Sequence, residues 1–216
     1  NGNYSQTFGD LSTPSAEDDY DIYSLLVSYD LGGVSLVSST GYLDSSKKYQ
    51  NFGYTCCFPT MVPGVFSNVL VPTAEINAKV LTQEFRISST DSESLFWSAG
   101  VFYKDAKTVP FKNEGLLFGD PDGTLGVDLF NFGPGGQEEN SQSWAVFGET
   151  SYAVTDQLEV GAGLRYFEDD RELRSGGVGP FQESNFDSLN PKIFAKYDIN
   201  DDLNVYFNVA QGFRSG

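Results

Sequence analysis

Three acidic runs, a doubled cysteine and a glycine-rich turn are the residues of this chain whose types and spacing could do chemistry. Glu17-Asp18-Asp19-Tyr20-Asp21, Asp120-Pro121-Asp122-Gly123 and Glu168-Asp169-Asp170-Arg171-Glu172 gather carboxylates of the kind that hold a hard cation such as Ca²⁺. None has the full spacing of an EF-hand loop, so each reads as a solvated, turn-forming segment and no metal site is expected. Cys56 and Cys57 are adjacent. Their Cα atoms stand about 3.8 Å apart, short of the roughly 4.4 Å a disulfide normally wants. A strained bond, two free thiols and pairing to other cysteines all stay open. The chain has no His, which removes a Ser-His-Asp triad and a Cys/His zinc site. Gly133-Pro134-Gly135-Gly136 lacks the Lys and the following helix of a phosphate loop. The residues therefore point to a protein that is not an enzyme and carries no cofactor.

Charge narrows the partners. A formal net charge of -17 argues against nucleic acid, which needs a basic footprint. The acidic balance reads first as solubility of exposed loops and second as attraction of cationic ligands to an acidic mouth. No run of about 18 apolar residues is present, so no transmembrane helix is expected.

The elements that must position these residues are strands. Alternation and turn chemistry predict about eight, over 22–30, 34–43, 81–89, 95–104, 143–154, 158–168, 189–199 and 203–213. In the sixth, Leu158, Val160, Ala162, Leu164 and Tyr166 share one face, while Gln157, Glu159, Gly161, Gly163 and Arg165 share the other. A polar face carrying Glu and Arg is no ordinary core. It suits a sheet with lipid or a hydrophobic partner on one side and water on the other. The connections alternate in length. Tight turns fall at 30–33, 90–93, 155–156 and 200–202, and long polar loops at 44–79, 105–140 and 169–186. In a meander this gives one end tight turns and the other end long loops, as in outer-membrane barrels.

Aromatic placement agrees. Trp144 and Tyr152 share the outward face, about 20 Å apart along the axis of a tilted strand, close to the roughly 25 Å apolar band that aromatic girdles flank. Trp97, Tyr103 and Tyr166 are the further girdle candidates. Glu149, Glu159, Arg165, Lys192 and Lys196 are expected on the opposite, lumen-facing side.

Three segments resemble the β-barrel of TonB-dependent outer-membrane receptors. One is Gln83-Glu84-Phe85-Arg86-Ile87-Ser88-Ser89 followed by Phe96-Trp97-Ser98-Ala99-Gly100-Val101-Phe102-Tyr103. The second runs from Ala145-Val146-Phe147-Gly148-Glu149 through Leu164-Arg165-Tyr166. The third is Asn190-Pro191-Lys192, then Val205-Tyr206 and Gly212-Phe213-Arg214-Ser215-Gly216. The resemblance implies an all-β antiparallel meander of about eight strands, part of a 22-stranded transmembrane barrel with long extracellular loops and a plugged lumen. Residues 1–216 then form a partial barrel, an internal piece with the plug domain absent from it. It also implies a Gram-negative outer-membrane location, contact with outer-membrane lipid, and coupling to the TonB protein through parts outside this chain. The implied activity is import of a scarce nutrient: ferric siderophore, haem, cobalamin or oligosaccharide. Loops on a rigid scaffold usually carry binding. Tyr54, Phe58, Phe66, Phe111, Phe118, Phe130 and Phe132 are accordingly the ligand candidates. Two rivals stand beside this reading: a self-contained small barrel with a structural or adhesive role, whose first and last strands would pair, and a soluble β-sandwich that binds or processes carbohydrate. The sandwich would bury Leu158, Val160, Leu164, Val205 and Phe207 against a second sheet.

Overall fold

In a computed structural model the described residues are 15–50, 54–55, 68–90, 94–118, 127–131, 136–175 and 179–213. They contain strands only: β1 (Ser15–Asp30), β2 (Val34–Gln50), β3 (Tyr54–Thr55), β4 (Asn68–Ser89), β5 (Leu95–Phe118), β6 (Val127–Asn131), β7 (Gln137–Thr155), β8 (Leu158–Ser175), β9 (Gln182–Asn200) and β10 (Leu203–Ala210). The sheet order is β1-β2-β4-β5-β7-β8-β9-β10, with β3 added to β4 and β6 to β5. Each neighbouring pair is antiparallel. The eight expected strands are the eight of this meander.

Turn chemistry fixes the tight end. Gly32 and Gly33 take positive φ (72° and 92°), and the Gly32 amide donates to Asp30 Oδ1 at 2.8 Å. Between β7 and β8 the turn residues are Asp156 and Gln157. Thr155 Oγ1 accepts from the Gln157 and Leu158 amides.

The other end corrects the sequence reading. Much of what reads as long loop is strand. β2 continues to Gln50 and β4 begins at Asn68, β5 runs on to Phe118, and β8 and β9 approach to Ser175 and Gln182. The β2–β4 ladder holds its register from Val34↔Ser89 to Gln50↔Thr73. The acidic runs at 17–21 and 168–172 therefore lie inside β1 and β8 rather than in solvated loops. The cause is solvation. A strand with water on both faces needs no hydrophobic alternation, although its backbone ladder continues.

Packing is inverted. The only apolar residues buried among those described are Ala74 and Ala145, whereas Asp169 and Ser143 are almost wholly enclosed. Phe85, Val101, Val146, Leu164, Ile193 and Phe207 are all exposed. Cross-strand partners share a face, and the register puts these six on one side. Ser141, Ser143, Ala145, Ser151 and Asp169, all buried, lie on the other side, so the sheet curves toward its polar face.

Neither rival fits. β1 and β10 lie at opposite edges and do not pair among the described residues, so a small closed barrel is not formed there. Among the described residues no second sheet covers the apolar face: Val160, Leu164, Val205 and Phe207 are exposed.

Candidate functional site

The register brings Glu149, Glu159, Arg165, Lys192 and Lys196 to one face. Glu149 pairs with Gly163, which pairs with Lys192. Phe147 pairs with Arg165 and that with Asn190, and Glu159 pairs with Lys196. Lys192 Nζ donates to Glu149 Oε2 at 2.8 Å and lies 4.9 Å from the Phe194 ring centre. Arg86 Nη2 donates to Glu84 Oε1 at 2.7 Å. Lys196 turns to Asp198 (3.0 Å) instead of its cross-strand neighbour Glu159. Glu84, Arg86, Glu149, Arg165, Asn190 and Lys192 line one cleft of about 340 Å³.

Arg165 is held differently from its neighbours. Its guanidinium lies 5.6 Å from the centre of the Phe102 ring, 5.9 Å from Phe147 and 5.7 Å from Phe167. Such contacts are worth about 0.5–2 kcal/mol each, the higher value where water is excluded. Glycines make room for the rings. A Cβ on Gly100 would stand 2.5 Å from Phe147 Cζ and 2.6 Å from the Phe85 carbonyl oxygen. The sequence does not single out these rings, because an aromatic residue on a strand reads first as part of the apolar face. Yet Phe147 and Phe167 fall in step with Glu149 and Arg165, and that parity was the available signal.

A second enclosed group lies further toward the long-loop end. Asp169 Oδ1 accepts from Ser141 Oγ (2.8 Å) and Ser143 Oγ (2.6 Å), and Oδ2 accepts from Arg171 Nε (2.8 Å). Arg171 also pairs with Glu139 at 3.4 Å. A buried carboxylate with three donors is a fully used structural hub.

The apolar face carries Tyr103, Trp144 and Tyr166 at one level and Trp97 and Tyr152 at a second level nearer the tight turns. Tyr103 pairs with Trp144, and the Trp144 and Tyr166 ring centres are 5.4 Å apart. Beyond this row the same face becomes polar. Lys79 pairs with Asp44 at 3.1 Å, and Glu138 is pinned between Arg174 and Lys107. The Arg174 hydrogen bond holds the Glu138 carboxyl below its usual range against the opposing effect of burial. The Asp44 hydrogen bond and charge raise Lys79.

Four of the seven aromatic ligand candidates fall on strands. Phe111 and Phe118 fall on β5, Tyr54 on β3 and Phe130 on β6. Phe58, Phe66 and Phe132 lie outside the described residues, as do Cys56, Cys57, the run at 120–123 and Gly133 to Gly135. Among the described residues no group of three or more His, Cys, Asp or Glu is placed to hold a metal ion.

The chain is similar in fold to several solved structures. It superposes on the ferric yersiniabactin uptake receptor FyuA of Yersinia pestis with a TM-score of 0.66 at 18% identity, covering 92% of this chain and 29% of that one. For the siderophore receptor PiuA of Acinetobacter baumannii the values are 0.62 and 14%, covering 88% and 32%. For the ferric-catecholate import receptor Fiu of E. coli K12 they are 0.61 and 15%, covering 94% and 37%. The chain thus spans about a third of the length of each. The family model described as TonB dependent receptor-like, beta-barrel, matches residues 1–216. An exposed apolar face, an opposite face that carries the charged residues, one-ended tight turns and this match agree, and the chain belongs to the TonB-dependent receptor β-barrel family.

Proposed function

We propose that the chain is a stretch of barrel wall in a Gram-negative outer-membrane receptor that imports a scarce nutrient with energy delivered by TonB. The observation that carries this reading is the inverted burial: large apolar side chains outside, a charged and hydrogen-bonded face within. Such a sheet is stable where lipid covers the apolar side, and a closed barrel is the only sheet form that leaves no open edge there. On this reading Trp97, Tyr103, Trp144, Tyr152 and Tyr166 sit in the aromatic girdles. Glu149, Glu159, Arg165, Lys192 and Lys196 face a lumen occupied by a plug supplied from outside residues 1–216. Work is done by binding and movement, not by chemical turnover.

Ferric siderophores come first among the cargoes, because the similar structures are receptors for them; haem, cobalamin and oligosaccharides follow. The ligand contacts are proposed at the long-loop end, from Tyr54, Phe58, Phe66, Phe111, Phe118, Phe130 and Phe132. The test is uptake of radioactive iron by cells carrying or lacking the gene, each with a panel of ferric siderophores, and each with TonB intact or deleted. Uptake of one siderophore that needs both the gene and TonB supports the reading. Uptake independent of TonB contradicts it.

A further inference from the structure

We infer that Arg165 is an anchor on the inner wall for a carboxylate side chain of the polypeptide that fills the barrel. The inference rests on the reading of this sheet as barrel wall.

The argument begins with a charge count. The cleft on the polar face is lined by three cations (Arg86, Arg165, Lys192) and two carboxylates (Glu84, Glu149), which leaves one positive charge in a chain of net charge -17. The two carboxylates are taken. Glu84 is engaged by Arg86 and Glu149 by Lys192. Among the described residues Arg165 has no ion pair and no hydrogen bond; its contacts are the three phenylalanine rings. Those rings hold the guanidinium by its charge and flatness. They leave its in-plane N–H donors, five in all, for oxygen acceptors. A cation half withdrawn from water without a counter-charge is costly, so the site is complete only when an anion arrives. A planar fork fixed by packing suits a bidentate carboxylate better than a flexible ammonium would.

Depth identifies the occupant. Arg165 follows Leu164, whose partner Gly148 lies midway along β7 between Trp144 and Tyr152. The anchor therefore sits near the middle of the lipid band. At that depth the lumen of a large transporter barrel is filled by its own polypeptide. Cargo held by loops at the mouth stays well above it.

The test uses the full-length receptor in its native outer membrane. A photo-crosslinking amino acid is placed at Asn190, the cross-strand neighbour of Arg165, so that Arg165 itself stays intact. A second probe goes at Leu164 on the opposite face. The Leu164 probe should couple to lipid; if it does not, the barrel-wall reading fails and the inference falls with it. With lipid coupling established, the Asn190 probe should couple to a lumen segment within a few residues of an Asp or Glu. Arg165→Met and amide replacement of that acid should each raise the open-channel probability of the purified receptor in planar bilayers about tenfold. The double variant should be no leakier than either single one, and Arg165→Lys should fall between. Coupling only to the barrel wall, coupling to a segment without an acid, or additive effects in the double variant would each overturn the inference.

Discussion

Leu164→Arg tests the lipid face at its most demanding point. Leu164 is exposed and pairs with Gly148, four residues from Trp144 in one direction and four from Tyr152 in the other. At about 3.3 Å per residue and a tilt near 40°, each girdle residue is roughly 10 Å away along the axis, so Leu164 lies close to the bilayer midplane. Arg on the lipid face costs about 2–4 kcal/mol at the midplane and about 0–1 near the interfaces. The midplane cost converts to a roughly 30- to 700-fold loss in the folding equilibrium constant, at about 1.4 kcal/mol per factor of ten. Two further substitutions turn this into a gradient. Leu189 pairs with Tyr166, about 5 Å nearer the Trp144 level, so Leu189→Arg should cost an intermediate amount. Glu168 pairs with Trp144, so Glu168→Arg should cost almost nothing. The assay is urea unfolding of the full receptor in lipid vesicles, followed by tryptophan fluorescence. The reasoning is refuted if the three variants cost the same, or if Glu168→Arg costs most.

Three other outcomes follow from the geometry. Gly100→Ala puts a Cβ 2.6 Å from the Phe85 carbonyl, whereas Gly148→Ala meets nothing nearer than the Ser98 carbonyl at 3.5 Å. The first should cost about 1–3 kcal/mol in vesicle unfolding and the second close to nothing. Asp169→Ala strips the acceptor from the Ser141 and Ser143 hydroxyls and one carboxylate from Arg171. It should cost about 2–3 kcal/mol, visible as a lower heating temperature for loss of the compact band on gels. Glu138 is held below the usual carboxylate range by Arg174, so its contribution is complete above the unfolded value and is lost as pH falls through the depressed folded one. The hydrogen-exchange protection factors of the β7–β8 extension, taken relative to the intrinsic rate at each pH, should therefore fall below about pH 4, and in Glu138→Gln they should already be low at neutral pH and change little with acid.

The sequence shows this fold best where lipid imposes a pattern. Strand 158–168 was legible because apolar and polar residues alternate along it, so Leu158, Val160, Leu164 and Tyr166 mark one side and Glu159 and Arg165 the other. The extensions of β2, β4 and β5 were not legible. Segments such as Asp44 to Gln50 satisfy their backbone in the ladder without any hydrophobic period. Site residues divide the same way. Glu149, Arg165 and Lys192 announce themselves as charges on a strand face. The Ser141–Ser143–Asp169 hub does not, because its donors and acceptor are residues apart in sequence and meet only through the β7–β8 register. The rings around Arg165 were hidden by their own hydrophobicity, which on other strands marks the lipid side.

The central claim is that one face of this sheet meets lipid and the other does not. The most direct measurement is a spin-label scan of residues 159–167 in the full receptor in bilayers, comparing collisions with oxygen, which concentrates in lipid, and with a water-soluble nickel chelate. The account predicts period-two alternation, with oxygen access highest at 160, 162, 164 and 166 and low at 159, 163, 165 and 167. Uniform access along the strand, or the opposite phase, would contradict it.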